Sequence, residues 1–273
     1  MTRPNFIGLG VQRAATTWLH DCLIEHPDVF LPAQKELHFF NSQYELGFSW
    51  YEAQFVDHQG ESAIGEITPL YLHTAPIARI VEACPQAKYL VILREPVDRA
   101  YSGYKLMQQR FFQGMSFSDA MKTGRGKAVI GYSMYAEKLK LLFDLVPRES
   151  VLVEIYDDVI REPQQLFMRV CQHLDVDSTF LPSRLNAVSN RIILPAMQQQ
   201  LQQCGLGFIV DAVKATPFGD LVKRWSKRHQ AVIDNSPELQ AFRRANRDLF
   251  RSDILQTQSL IHRDLSEWMR RSS

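Results

Sequence analysis

Residues Phe6–Trp18, FIGLGVQRAATTW, decide how the rest of this chain is read. Phe6, Ile7 and Leu9 form a short apolar run, the pattern of a strand buried on both faces. Gly8 and Gly10 remove side chains where the backbone must turn out of that strand. Ala14 and Ala15 let the following loop close tightly, and Thr16 and Thr17 bring hydroxyls and free backbone N–H groups to the first turn of a helix. Such a turn holds an anion through its unpaired N–H groups and its dipole. Arg13 adds a permanent positive charge beside them. The spacing approaches the nucleoside-triphosphate loop G-x-x-x-x-G-K-[ST]. Counted from Gly10, however, its second glycine is Ala15, its lysine is Thr16, and only Thr17 agrees. The stretch therefore points to a phosphate-like ligand other than ATP or GTP; the plain alternative is an ordinary strand-to-helix turn with an exposed arginine.

Outward from this loop, strand and helix patterns alternate. A helix is expected over Thr16–Glu25, stopped at His26-Pro27 because the residue before proline is pushed out of the helical region. Strands follow at Val29–Leu31, Ala63–Thr68, Lys88–Leu93 and Ser150–Tyr156. Helices are expected over Ala75–Ala83, from Val97 onward, over Ser133–Leu145 and over Pro163–Leu174. This alternation predicts an α/β fold with a central, mostly parallel sheet flanked by helices, and a single domain over residues 1–273. Residues 41–60 read as a loop and short helix over the site. Residues 105–131, rich in basic, aromatic and glycine residues, read as a mobile flap with one short helix at Phe117–Lys122. From about 192 to 273 the chain turns helical, with Leu249, Phe250, Leu255, Leu260, Leu265 and Trp268 expected to pack on the sheet.

Composition bounds the function. A chain of 273 residues with 45% hydrophobic and 22% charged content suits one soluble globular domain. A net charge of only +1 leaves no compositional support for nucleic-acid binding, so a grip on a strongly anionic ligand must come from local focusing. Cys22, Cys84, Cys171 and Cys204 are scattered, without a C-x-x-C pair, and read as reduced buried thiols. The eight histidines lack ligand spacing, so no metal is expected. A first strand that starts within a few residues, and no apolar run long enough to span a bilayer, predict a cytoplasmic protein without a transmembrane segment.

Two further stretches carry candidate chemistry. In Lys35-Glu36-Leu37-His38-Phe39-Phe40 a glutamate is crowded against large apolar side chains, where partial desolvation can make it a proton acceptor; the alternative is a surface salt bridge beside an aromatic cluster. The strand KYLVIL ends on Arg94-Glu95-Pro96, and ligands in open α/β sheets sit beyond the carboxyl ends of the strands. Arginine there binds phosphate directly by its planar fork, where a magnesium-nucleotide enzyme would carry aspartate. Ser102, in the helix that follows, can add a hydroxyl, or can simply be solvated.

These stretches, in order, resemble the sulfotransferases that use 3′-phosphoadenosine 5′-phosphosulfate, most nearly the bacterial and heparan-sulfate-type members. GVQRAATTWL resembles their 5′-phosphosulfate loop, and YLVILREPVDRAYSGY their 3′-phosphate motif, R-[DE]-P followed by S-x-Y. KELHFF is similar to the segment with the catalytic glutamate in the heparan-sulfate branch, GEITPLYL to the strand after it, and DLSEWM to the family's C-terminal ending. The resemblance implies a P-loop-like fold. It implies that Arg13, Ala14, Ala15, Thr16, Thr17 and Trp18 cradle the 5′-phosphosulfate, and that Arg94 and Ser102 hold the 3′-phosphate with a further contact from Arg191. Glu36 would be the general base and His38 a second candidate; no metal is implied, and the product would be adenosine 3′,5′-bisphosphate. Two positions depart from the pattern: the loop lysine of much of the family is Arg13, and the lysine of the heparan-sulfate branch's E-K-T-P segment is Ile67. The expected acceptor is a hydroxyl of a carbohydrate, lipid or small metabolite. The alternatives are a P-loop kinase-like phosphotransferase and a non-catalytic nucleotide-binding protein on the same fold.

Overall fold

The computed structural model describes residues 3–185, 236–246 and 248–271. Its sheet contains β1 (Phe6–Gly10), β2 (Val29–Phe30), β3 (Ala63–Ile67), β4 (Lys88–Leu93) and β5 (Val151–Ile155), paired in parallel throughout in the order β2-β3-β1-β4-β5. Every residue of β1 and β3 is buried, as strands covered on both faces are. From β1 the chain passes to β2 at one edge and returns to β3 beside β1, then crosses to β4 and β5 on the other side. That reversal opens a crevice at the carboxyl ends of β1 and β4. Both charged motifs leave the sheet there.

The helices are α1 (Thr16–Leu23), α2 (Gly47–Ala53), α3 (Thr74–Ala83), α4 (Pro96–Phe111), α5 (Phe117–Lys122), α6 (Gly124–Gly131), α7 (Ala136–Leu145), α8 (Tyr156–Arg161) and α9 (Pro163–Leu174). From residue 236 onward come α10 (Pro237–Ala245), α11 (Arg251–Ile261) and α12 (Ser266–Arg271). At the start of α4, the Glu95 side chain accepts from the N–H groups of Val97 and Asp98, and Pro96 takes the first helical position, where no N–H is needed. Among the described residues, no helix is long and apolar enough to cross a membrane.

The segment 105–131 holds the helix expected at Phe117–Lys122 and more helix besides. It is helical over most of its length, because α4 continues to Phe111 and both α5 and α6 follow. Phe112, Phe117, Ala120, Met121 and Val129 are buried, and the Phe117 ring lies 4.3 Å from that of Phe242 in α10. Glycine here serves close packing: a Cβ on Gly126 would stand 2.0 Å from the Ala120 carbonyl oxygen. Helix α7 starts later than expected, since the Ser133 hydroxyl is buried and accepts from Arg99 Nε at 2.7 Å. Asp253 of α11 instead caps α7, accepting from the N–H groups of Tyr135 and Ala136 at 2.8 and 2.9 Å.

In the C-terminal helices Phe250, Leu265 and Trp268 are buried as expected, but Leu249 and Leu255 are exposed. The inner face of α11 is Ile254, Thr257 and Ile261, a helical period that turns Leu255 outward. Buried Arg243 ties α10 to the start of α4, donating to Glu95 at 3.0 Å and also to Asp98. Cys22, Cys84 and Cys171 are buried free thiols. Arg191 and Cys204 lie outside the described residues.

Candidate active site at the carboxyl ends of the central strands

The loop after β1 is shaped by backbone that few residues adopt. Gly10 has φ +127°, and a Cβ there would sit 2.3 Å from the Pro69 carbonyl oxygen, so only glycine fits. Arg13 and Ala15 follow with φ 73° and 62°. Ala15 is the N-cap of α1 and no side chain caps that helix, which leaves its first-turn N–H groups for another acceptor. Ala14 is wholly buried and Thr16 nearly so, so both can meet a ligand chiefly through the backbone. Trp18 can likewise meet a ligand chiefly through its backbone. Its ring is buried and its indole N–H donates to the Leu185 carbonyl at 2.9 Å, because an aromatic side chain on the inner face of α1 is worth more to the core than to a polar ligand.

The two positively charged motifs converge. Arg13 Nε donates to Ser102 Oγ at 2.9 Å, and Arg94 Nη1 donates to the Arg13 carbonyl at 3.0 Å. The Arg94 guanidinium stacks 4.4 Å over the Tyr156 ring, and its Nε has no partner among the described residues. Burial of its charged end, and then the neighbouring Arg94, lower the pKa of Arg13. Arg13 still reaches solvent, which screens much of that repulsion. A cleft of about 230 Å³ opens beside Arg94, lined also by Tyr156, Asp157, Ile160, Arg161 and Arg271. Two guanidinium groups held side by side at a helix start favour a multiply charged anion.

The segment Lys35–Phe40 forms the opposite wall. Leu37, Phe39 and Phe40 are buried, whereas Lys35, Glu36 and His38 are partly exposed. This alternation requires a tight turn: Glu36 and His38 have φ 59° and 55°. Lys35 Nζ donates to Thr17 Oγ1 at 2.6 Å and lies 3.7 Å from Glu36 Oε1, so the turn is joined directly to the anion loop. His38 Nε2 is 3.6 Å from Glu36 Oε2, and Asn41 Nδ2 is 3.4 Å from His38 Nδ1. The two candidate bases thus share one place. A second cleft, about 310 Å³, begins at Phe40 and Asn41 and is lined by His73, Pro76, Arg79 and Tyr132. Burial, then Lys138 and Arg99, lower the pKa of His73 to about 4, so its imidazole is neutral at ordinary pH.

Sequence reasoning missed the contact of Lys35 with Thr17 and a carboxyl beneath the turn, that of Glu66. Glu66 is buried in β3 and accepts from the hydroxyls of Tyr51 at 2.8 Å, Thr68 at 2.8 Å and Tyr71 at 3.2 Å. Burial pushes its pKa up to about 7, against the lowering effect of these hydrogen bonds. A glutamate inside the otherwise apolar AIGEI was the available signal. Ile67, where the heparan-sulfate branch has lysine, is buried and paired in register with Gly8.

A family model of the sulfotransferase domain matches residues 3–203. The membrane-associated sulfotransferase kil1 of Dictyostelium discoideum is 37% identical over 107 residues, which are 37% of this chain and 22% of that protein. Heparan sulfate glucosamine 3-O-sulfotransferase 3B1 of Mus musculus is 37% identical over 176 residues, 61% of this chain and 45% of that protein. The chain therefore spans less than half the length of these two relatives. A sulfotransferase structure from Alicyclobacillus acidocaldarius shares the fold, with TM-score 0.72, 24% identity, and coverage of 98% of this chain and 99% of that one.

Proposed function

The chain belongs to the sulfotransferase domain family, and from that premise we propose that residues 1–273 act as one catalytic domain moving a sulfuryl group from 3′-phosphoadenosine 5′-phosphosulfate to an acceptor hydroxyl. The N–H groups of residues 13–18, with the Arg13 guanidinium, hold the 5′-phosphosulfate. Arg94 and Ser102 hold the 3′-phosphate. Ser102 accepts from Arg13 and keeps its own O–H to donate, and Arg191 joins them on the resemblance alone. The acceptor oxygen attacks sulfur and its proton passes to Glu36. The bond from sulfur to the 5′-phosphate oxygen breaks in line, and adenosine 3′,5′-bisphosphate departs with the charge on that oxygen. Arg13 and Lys35 meet this charge electrostatically. Arginine does not give up a proton at neutral pH, so the role of Arg13 is not that of a general acid.

The observation that carries this reading is the meeting of Arg13, Arg94 and Ser102 in the switch-point crevice, with Lys35 linking the same loop to Glu36. The kinase alternative lacks a loop lysine, and its strand-end aspartate is Arg94. A carbohydrate hydroxyl is the acceptor class favoured by the sulfotransferase of Mus musculus, and the cleft beside Asn41 is where such a ring would enter. Calorimetric titration with adenosine 3′,5′-bisphosphate, and with ADP with and without magnesium, tests the donor site. Magnesium-independent binding of the bisphosphate that collapses in Arg94→Ala is expected; preference for magnesium ADP would overturn the reading in favour of a kinase.

A further inference from the structure

We propose that Glu66 is a positioning residue, whose buried carboxylate holds the turn at residues 36–40 in the conformation that presents Glu36 beside the anion loop. The identity of Glu36 as base rests on the sulfotransferase reading; the positioning itself rests on geometry.

Three routes connect the Glu66 carboxylate to the backbone of the turn. The Leu37 N–H faces it and favours its ionised form. Thr68 Oγ1 donates to Oε2 at 2.8 Å and accepts from the His38 N–H at 3.4 Å. The Tyr71 hydroxyl donates to Oε1 at 3.2 Å and accepts from the Phe40 N–H at 3.3 Å. Tyr51 donates to the same Oε1 at 2.8 Å and stacks on Phe39, ring centroids 4.5 Å apart. The turn needs such an anchor. Glu36 and His38 are both left-handed, a state that residues with a Cβ keep only where the surroundings impose it. Glu66 itself is fixed in the central sheet, paired in register with Ile7.

Every partner reaches Glu66 as a donor, which suits a carboxylate. A carboxylic acid would bring its own O–H, and would compete for the hydroxyl lone pairs that now receive the His38 and Phe40 N–H groups. The buried groups facing Glu66 are Tyr51 from α2, Tyr71 from the segment after β3 and Cys84 after α3; burial raises the pKa of all three, so they stay neutral near pH 7. On the turn itself the charged or titratable groups are Lys35, Glu36 and His38. Ionised Glu66, and with it the ordered turn, is therefore present above about pH 7 and lost as pH falls through that value.

The test compares wild type, Glu66→Gln, which copies the neutral acid in shape, and Tyr71→Phe, which removes one relay. Amide exchange at Leu37, His38 and Phe40 is expected to quicken roughly tenfold or more in Glu66→Gln, with β1 and β4 unchanged. In the same variant kcat is expected to fall about 10- to 100-fold, with the Kd for adenosine 3′,5′-bisphosphate within about twofold of wild type. An acid limb of kcat/KM near pH 7 should vanish in Glu66→Gln and persist in His38→Gln and Tyr71→Phe. Tyr71→Phe should speed exchange at Phe40 alone, and it carries the test if Glu66→Gln does not fold. Unchanged exchange at the turn in these variants, or loss of bisphosphate binding in step with kcat, overturns the proposal. Faster exchange at the turn in Glu66→Gln, together with a wild-type protein that transfers no sulfuryl group, would sink the functional reading while leaving the positioning role standing.

Discussion

On the donor side of the crevice, Arg13 and Arg94 crowd each other at a partly solvated rim, whereas under the opposite wall one anion, Glu66, is enclosed in the core and surrounded by donors. The cation pair is relieved by a ligand that brings negative charge. The buried carboxylate is satisfied from within, and its cost is borne by the fold whether or not ligand is present. The donor side should therefore answer to ligand and charge, and the base side to internal geometry and pH.

The largest effect separates chemistry from binding. Glu36→Gln removes the proton acceptor and should lower kcat about 10²- to 10⁴-fold in a steady-state assay, with bisphosphate affinity kept; an unaltered kcat would transfer the base role to His38. Next, Arg94→Ala deletes charge-assisted hydrogen bonds, each worth about 1.5–3 kcal/mol. Bisphosphate binding should weaken accordingly in calorimetry, and an equal Kd would show that the rim does not hold the donor.

A third effect sets the base side against the fold. Burial raises Glu66 to about 7, and burial together with Asp98 raises Glu95 despite Arg243. A carboxyl with a raised folded pKa binds more protons in the folded than in the unfolded state between its ordinary 4.5 and about 7. Its contribution therefore makes stability greatest at the acid end of that window and lower as pH rises through it. Denaturant midpoints for wild type should fall across this window, and Glu66→Gln should flatten the slope. Transfer activity should rise over the same range. A slope that Glu66→Gln leaves unaltered would remove Glu66 as its source.

The smallest effect concerns the loop. Trp18→Phe keeps an aromatic ring in the core but loses the indole hydrogen bond to Leu185 and part of the buried ring volume, a cost of about 1–3 kcal/mol in unfolding. Bisphosphate affinity should not change; weaker binding would mean that the Trp18 side chain serves the ligand after all.

What was legible in the sequence was local. Alternating apolar strands and amphipathic helices determine a parallel α/β sheet, since each pattern reports burial along its own few residues. The small-residue loop from Gly10 to Thr17 and the arginine closing β4 were legible for the same reason: strand ends in such a sheet share one edge, so the positions of Arg13 and Arg94 follow once both strands are recognised. In the segment 105–131 the helix at Phe117–Lys122 is legible but α6 is not, because glycines signal freedom in isolation, while Gly126 is required for contact with Ala120. Only the tertiary structure decided that Asp253 caps α7, that Lys35 reaches Thr17 and that Glu66 lies under Glu36 and His38. Each of these is a contact between segments distant along the chain. Its existence depends on strand register and helix packing, which bring together side chains whose own neighbours in sequence carry no trace of the meeting.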